Sequence, residues 1–169
     1  MQDMSTKALV SIEEYLRTSY EDYDREYLDG EVVERPLPDY RHSRTQFRLC
    51  VLFGRLGERV PLYGCTELRS RVAATRVRIP DVSIYAGKEP TEWFPAEPPL
   101  IAIEIVSPDD RHQDLLAKLE EYRRWGARHV WLVHPHTRKL YVYDGALAEV
   151  PEFHLPEFDV TLTPDEIFG

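Results

Sequence analysis

Two carboxylates, Asp81 and Glu104, occur in stretches of the sequence where a charge is unexpected. Glu104 interrupts the apolar run from Leu100 to Val106, a pattern typical of a strand covered on both faces. Asp81 follows Pro80 at the start of a strand-like run, and a proline there predicts a bulge or bend that redirects the next side chain. A buried carboxylate destabilises a protein unless a partner compensates its charge.

The chemistry open to these two acids depends on what lies between them. If their strands pair, both carboxylates face one cavity, and like charges stay ionised together only beside a cation. Carboxylate oxygens suit Mg²⁺, so Asp81 and Glu104 are candidate magnesium ligands, with Mn²⁺ as a substitute. The alternative is that each acid pairs with an arginine, which the 17 arginines of the chain make easy. Glu26 is a further carboxylate, and in one arrangement of the strands it lies at the same cavity. Its spacing in the sequence does not show whether the strands adopt that arrangement.

Lys118 is a candidate for the positive group of such a site. On a helical wheel of residues 109–126 it falls between two aromatic side chains, within the apolar arc. Its ammonium either points back toward the sheet that carries Glu104, or reaches solvent, or pairs with Asp114. In a chain with 17 arginines and four lysines, a lysine at this position indicates that a compact ammonium is wanted.

A row of arginines follows the predicted helix 39–60: Arg41, Arg44, Arg48, Arg55 and Arg59. Such a basic ridge can follow a phosphate backbone, which makes Arg41, Arg44 and Arg48 candidate nucleic-acid contacts. The alternative, favoured by the net charge of −9, is a solvated face or one that pairs with acidic groups of another subunit. His42 falls on the opposite, apolar arc, where a hydrogen-bonded core histidine is commoner than a ligand or a base.

The elements that position these residues are typical of a single α/β domain over residues 1–169, built on a mixed sheet. Ser11 and Glu14 match a helix-capping box. Asp29–Gly30 predicts a hairpin turn between two strand-like arms. The proline-rich stretch 87–99 predicts a loop.

The second half of the chain predicts a strand–helix–strand unit. Residues 101–106 and 129–134 are strand-like and flank the helix 109–126, so they are expected to be parallel neighbours. Further strands are expected within 62–86. The stretch 139–169 either closes the core or supplies a subunit contact.

Composition excludes several classes of protein. At 43% hydrophobic residues, the 169-residue chain has the composition of a globular domain rather than of a disordered one. No apolar run approaches the length of a membrane span, and the N-terminus lacks the apolar region of a secretory signal. Cys50 and Cys65 have no metal-like spacing and are typical of ordinary thiols in a reducing cytoplasm.

The ordered set of motifs resembles the Uma2 family of restriction-endonuclease-like proteins, within the PD-(D/E)XK nuclease superfamily. In chain order these are REYLDGEVVE, a histidine in the following helix, IPDVSIY, IEIVSPDDR, DLLAKLEEYRRWGARHVWLVHP and LTPDEIF. The resemblance extends from about residue 11 to the C-terminus. It implies a restriction-endonuclease-like core, in which helices flank a central mixed sheet.

The same resemblance implies which residues matter. Pro80–Asp81 matches the PD element and Glu104 the acidic residue of the (D/E)XK element. A valine stands where the superfamily has its lysine, and Lys118 matches a lysine that this family carries on the next helix. Glu26 matches the acid of the hairpin, and His42 matches the histidine of the long helix.

By resemblance, the protein is expected to be an Mg²⁺-dependent endonuclease, with DNA favoured as its substrate, acting as a dimer or larger oligomer. Asp81, Glu104 and Glu26 would hold the metal, and Lys118 would orient water or stabilise charge on the phosphate. One alternative is a catalytically weak or inactive module that keeps the core, which the acidic net charge and the missing lysine favour. Another is a metal-dependent hydrolase of a different phosphodiester, such as a nucleotide, which needs no arginine row.

Overall fold

The computed structural model describes residues 9–21 and 24–169, which form four α-helices and twelve β-strands. The expectation about a secretory signal concerns in part residues 1–8, which lie outside the described residues. The helices are α1 Ile12–Arg17, α2 Tyr40–Gly57, α3 His112–Trp125 and α4 Pro164–Phe168. The strands are β1 Arg25–Leu28, β2 Glu31–Glu34, β3 Leu62–Thr66, β4 Ser70–Ala73, β5 Arg76–Arg78, β6 Val82–Ala86, β7 Ile101–Ile105, β8 His129–His134, β9 Lys139–Tyr143, β10 Leu147–Val150, β11 Phe153–Leu155 and β12 Val160–Leu162.

A mixed six-stranded sheet forms the centre of the fold, in the order β10-β9-β8-β7-β6-β3. Within it β7 and β8 are parallel and are joined by α3, and the other neighbouring pairs are antiparallel. The parallel register pairs Ile101 with His129 and Glu104 with Leu132. This confirms the predicted strand–helix–strand unit, because parallel neighbours need a crossover connection of this kind.

A second sheet, antiparallel and four-stranded in the order β2-β1-β5-β4, stands beside the first. The chain passes from its strand β5 to the central strand β6 through Ile79, Pro80 and Asp81. The predicted bend at Pro80 is therefore the junction of the two sheets. This junction places Asp81 at the beginning of a central strand.

The hairpin of β1 and β2 turns at Asp29 and Gly30, as predicted. Both residues have positive φ angles, 52° and 99°, which Asp tolerates and Gly adopts readily. The register pairs Glu26 with Val33 across the hairpin. This fixes Glu26 in an inner strand of the second sheet, between β2 and β5.

Helices α2 and α3 cover opposite faces of the central sheet. Leu49 and Phe53 of α2 pack with side chains such as Ile103, whereas Leu119 of α3 packs with Ala102. Successive residues of β7 alternate between these faces, so Glu104 shares the α3 face with Ala102. The flanked mixed sheet agrees with the expected fold class.

The helices begin and end close to their predicted positions. The carboxylate of Asp39 accepts a hydrogen bond from the backbone N–H of His42 at 2.8 Å, which starts α2. Helix α3 begins at His112, later than predicted, because Asp110 accepts a hydrogen bond from the Ser107 N–H in a turn before the helix. It ends at Trp125, and the next residue is Gly126, whose φ of 112° suits glycine.

The C-terminal stretch closes the core. Phe153 stacks on Trp131 of the central sheet with ring centroids 4.1 Å apart, and both side chains are buried. A capping box of Thr163 and Glu166 starts α4. Within the described ranges, no helix combines the length and the apolar character needed to cross a bilayer.

Candidate active site

Asp81 and Glu104 lie on neighbouring strands and line one pocket. Antiparallel pairing of Val82 with Ile103 brings the residues on either side of that pair, Asp81 and Glu104, together. Both side chains are buried. The pocket has a volume of about 40 Å³ and is lined by Arg35, Pro36, Pro38, His42, Glu67, Asp81, Glu104, Ile105, Ser107, Asp110 and Lys118.

Asp81 is surrounded by hydrogen-bond donors. Its Oδ1 accepts from Arg35 Nη2 at 2.8 Å, and its Oδ2 accepts from the Ile105 N–H at 2.7 Å and lies 3.2 Å from His42 Nε2. Burial alone would raise the pKa of Asp81, but the His42 hydrogen bond and the Arg35 charge hold that pKa below its usual value. Asp81 is therefore ionised at neutral pH.

Glu104 is held by two side chains of α3. The Tyr122 hydroxyl donates to Oε1 at 2.6 Å, and Lys118 Nζ lies 3.4 Å from Oε2. Burial raises the pKa of Glu104 to about 7, with Lys118 opposing the shift and the nearby charges of Asp81 and Glu26 adding to it. Glu104 therefore exchanges a proton near neutral pH.

Lys118 points into the site and not into solvent. Its side chain is 9% exposed, and its Nζ lies 3.4 Å from both Glu104 Oε2 and Glu26 Oε1. Burial alone would lower the pKa of Lys118, but these carboxylates raise it above its usual value. Of the alternatives left open by the wheel, the structure selects the inward one, in which the ammonium remains charged.

Glu26 joins this network from the hairpin. Arg78 Nη1 donates to its Oε2 at 2.7 Å, and the Ile79 N–H donates to its Oε1 at 3.0 Å. Burial would raise the pKa of Glu26, but Lys118 and Arg78 hold it below its usual value. Arg78 also binds Glu121 of α3 through two further hydrogen bonds.

His42 belongs to the site. It is buried, and its Nε2 faces Asp81. Its Nδ1 has no hydrogen-bond partner among the residues described. Burial lowers its pKa, but the Asp81 hydrogen bond and charge outweigh burial and raise it. A buried ring nitrogen without a partner is uncommon in folded proteins.

Several residues of the site were not singled out from the sequence. Arg35 is the foremost, and its only signal was its position before Pro36, where the hairpin leads into α2. Arg78 was easier to predict from the sequence, because the alternation Arg76–Val77–Arg78 places two guanidinium groups on one face of β5. Tyr122 lies one helical turn after Lys118, so the two side chains are on the same face of the helix. The helical wheel alone therefore allowed both side chains to contact the same group.

The candidate nucleic-acid arginines of α2 divide into two groups. Arg41 and Arg44 are exposed and form no ion pair within residues 9–21 and 24–169. Arg48 donates instead to the backbone carbonyls of Ile167, at 3.1 Å, and Glu166, at 2.7 Å, in α4. This use of its guanidinium favours a structural role for Arg48 in docking α4.

The donor chemistry of the pocket fits a divalent cation under one condition. Asp81 and Glu104 supply oxygens of the type that Mg²⁺ prefers, and the raised pKa of Glu104 indicates incomplete positive compensation. No group of three His, Cys, Asp or Glu side chains arranged to hold a metal occurs in the part of the chain that the structure describes. The guanidinium of Arg35 already pairs with Asp81. A cation can therefore bind Asp81 only if this guanidinium moves away.

These features define a restriction-endonuclease-like fold, in which a mixed sheet between helices carries clustered acids and a lysine. The chain belongs to the Uma2 family, described as "Putative restriction endonuclease", whose model matches residues 12–168. This membership supports a nuclease function.

A solved structure from Anabaena variabilis, described as "a putative nuclease belonging to DUF820", shares the fold with a TM-score of 0.79. The two sequences are 20% identical, and the match covers 94% of this chain and 97% of that one. No curated protein matches the chain significantly.

Proposed function

We propose that this protein is a divalent-cation-dependent endonuclease that hydrolyses phosphodiester bonds of nucleic acid, DNA in preference to RNA, with Mg²⁺ as its usual cation. The observation that carries the proposal is the convergence of the buried side chains of Asp81, Glu104 and Lys118 on one pocket. Two carboxyl groups and an amine in a cleft are the groups that metal-assisted phosphoryl chemistry needs. The Uma2 membership is independent support.

Asp81 and Glu104 are the residues that would hold the cation. When bound, the cation supplies a Lewis acid that polarises the scissile phosphate and lowers the pKa of the attacking water. Glu26 is saturated by Arg78 and Lys118, so we assign it to positioning the ammonium rather than to a ligand role.

Lys118 acts electrostatically in this proposal. Its raised pKa keeps the ammonium charged, so it stabilises negative charge developing on the phosphate and does not serve as a base. Glu104 and Glu26 fix the position of Nζ from two sides. Tyr122 in turn fixes Glu104 through its hydroxyl.

Arg35 is the residue we assign to the substrate phosphate. It lines the pocket together with Pro36 and Pro38, and its Nη2 lies 2.8 Å from Asp81 Oδ1. Its planar guanidinium suits phosphate oxygens better than an ammonium does. A phosphate at the pocket therefore competes with Asp81 for Arg35.

The size of the pocket favours a polymer substrate. A volume of about 40 Å³ is far below the roughly 300–1,000 Å³ of clefts that enclose small ligands. A phosphate of a long strand that lies across the pocket can reach the acids without being enclosed. The pocket is less well suited to a free nucleotide, because it is too small to enclose one. The oligomer expected from the family resemblance stays a prediction.

Cleavage assays with matched variants test the proposal. Supercoiled plasmid, single-stranded DNA and RNA are incubated with the protein and Mg²⁺ or Mn²⁺, with EDTA as the blank. Glu104→Gln and Lys118→Ala are each expected to lower cleavage by about a hundredfold or more. Lys139→Ala, at an exposed lysine paired with Glu149, is the control and is expected to leave cleavage unchanged. Full activity in both site variants would remove the proposal.

A second candidate function is a nucleic-acid-binding module that does not cleave. The ion pair of Arg35 with Asp81 at 2.8 Å favours it, since that pair satisfies Asp81 without a metal. The two functions differ in their response to Mn²⁺. The nuclease is expected to gain thermal stability with Mn²⁺ and to lose that gain in Glu104→Gln, whereas the module gains none.

A further inference from the structure

A second hollow, of about 400 Å³, lies beside the first turns of α2. We call it the α2 hollow, and its walls include Tyr40, Arg41, Arg44, Pro135, Arg138 and Phe168. Its volume falls within the range of about 300–1,000 Å³ that is typical of small-ligand sites, whereas that of the catalytic pocket does not.

In the α2 hollow the exposed ring of Tyr40 lies beside Arg41 and Arg44, whereas Arg138 of the same wall is paired with Asp165. The Tyr40 side chain is 79% exposed, and the adjoining Phe47 is 59% exposed with the Arg44 guanidinium 5.8 Å from its ring centroid. Arg41 and Arg44 have no acidic partner within the described ranges. In a chain of net charge −9, free guanidinium groups beside exposed rings favour an anionic ligand that also has a flat face.

Nucleic acid matches both properties, because its phosphates pair with arginine and its bases stack on aromatic rings. Bases inside a duplex stack on one another, so their faces are not free to meet Tyr40. An unpaired nucleotide presents its base and its phosphate together. The chemistry of the hollow therefore favours single-stranded over double-stranded nucleic acid.

The hollow and the catalytic pocket share the same turns of α2. His42 faces the pocket, whereas Tyr40, Arg41 and Arg44 line the hollow. The two sites therefore adjoin the same turns of one helix, whose diameter with side chains is roughly 10–12 Å. An extended strand spans this distance within a few nucleotides.

We propose that the α2 hollow binds an unpaired nucleotide of the substrate strand, a few nucleotides from the phosphate that is cut. Its base lies on Tyr40, and its phosphate lies between Arg41 and Arg44. This inference rests on the proposed nuclease function and deepens it, because it makes nucleic acid with single-stranded segments the preferred substrate.

The test measures binding without cleavage. A fluorescently labelled single-stranded oligothymidylate and a blunt duplex of equal length are titrated with the protein in EDTA, and anisotropy is recorded. The single strand is expected to bind more tightly. Tyr40→Ala is expected to weaken its binding about tenfold, and Tyr40→Phe, which keeps the ring, is expected to retain it.

Trp93→Ala is the matched control. Trp93 is 89% exposed, lies in the loop after β6 and forms no wall of the hollow, so its loss is expected to leave binding unchanged. Tighter binding of the duplex, or an unchanged affinity in Tyr40→Ala, would overturn the inference. If either of these results is found while the wild type still cleaves nucleic acid in the presence of metal, the proposed role of the α2 hollow is refuted and the nuclease proposal is not. Absence of cleavage together with Tyr40-dependent binding would refute the nuclease proposal instead.

Discussion

The ammonium of Lys118 and the carboxylate of Glu104 face each other at 3.4 Å across the boundary between α3 and the central strand β7. Alternation along β7 turns Glu104 toward α3, and the helical period turns Lys118 toward β7. An amine therefore stands beside the acid although Val106 occupies the position two residues after it. Tyr122, one turn further along α3, binds the other oxygen of Glu104 at 2.6 Å.

Removal of this amine is expected to destabilise the fold. In Lys118→Met, the buried carboxylates of Glu104 and Glu26 lose their shared cation, and the free energy of unfolding is expected to fall by about 3 kcal/mol. Urea unfolding above neutral pH measures the change. Lys139→Met, at an exposed lysine, is expected to change stability by less than about 1 kcal/mol. Equal stability of the two variants would show that Lys118 does not compensate the acids.

The raised pKa of Glu104 gives a pH-dependent signature. Its pKa is about 7 in the folded protein and near 4.5 when unperturbed, so between these values the folded state holds a proton that the unfolded state has lost. The contribution of Glu104 to the free energy of unfolding therefore falls as pH rises through this window. The pKa values of Asp81 and Glu26 are lowered, so both acids titrate below the window.

Glu104→Gln removes this titration. Relative to wild type, the variant is expected to gain stability between about pH 5 and about pH 8, by an amount on the order of 3 kcal/mol. Urea unfolding at several pH values measures the difference. A difference that stays flat, or that declines with pH, would contradict the raised pKa.

Local patterns in the sequence predicted much of the site. The Asp29–Gly30 turn and the position of Lys118 within the apolar arc of its helix each follow from a few neighbouring residues. These features are local, and short-range geometry fixes them. The pairing of β6 with β7, which brings Asp81 to Glu104, was only a condition in the sequence analysis, and the structure meets it.

Which arginine contacts which group could not be predicted from the sequence. From the sequence, each of the 17 arginines was a possible partner of Asp81. In the structure the partner is Arg35, because the segment Arg35–Asp39 carries it over the pocket. Arg48 likewise contacts α4, more than a hundred residues away in the chain, because the C-terminus folds back onto α2. Such contacts depend on the packing of whole elements, which spacing does not encode.

Arg35 is expected to oppose cation binding and to assist cleavage. In Arg35→Gln, Asp81 loses its guanidinium partner, so the increase in melting temperature on adding Mn²⁺ is expected to be larger than in wild type. Cleavage is expected to decrease nevertheless, because the substrate phosphate loses a partner. Thermal melting and plasmid cleavage measure the two effects.

Arg71→Gln is the control for this prediction, at an exposed arginine on β4. It is expected to leave both measurements unchanged. A smaller Mn²⁺ response in Arg35→Gln than in wild type would refute the competition between Arg35 and the cation.

The two ends of α2 are expected to differ in their contribution to nucleic-acid binding. Neutralising Arg41 and Arg44 together by glutamine is expected to lower the slope of log Kd against log salt by about 0.7, because the one phosphate that lies between them loses its partners. Neutralising Arg55, about 16 Å further along the helix than Arg44, together with Arg59 just after the helix, is expected to leave the slope unchanged. Equal effects of the two double variants would indicate nonspecific attraction to the whole arginine row.

The most direct measurement of the central claim is a crystal structure of the protein soaked in Mn²⁺, with anomalous scattering used to locate the metal. The expected result is an anomalous peak within bonding distance of carboxylate oxygens of both Asp81 and Glu104, with the Arg35 guanidinium displaced from Asp81. An intact Arg35–Asp81 ion pair with no peak in the pocket, at Mn²⁺ concentrations that support cleavage, would contradict the claim.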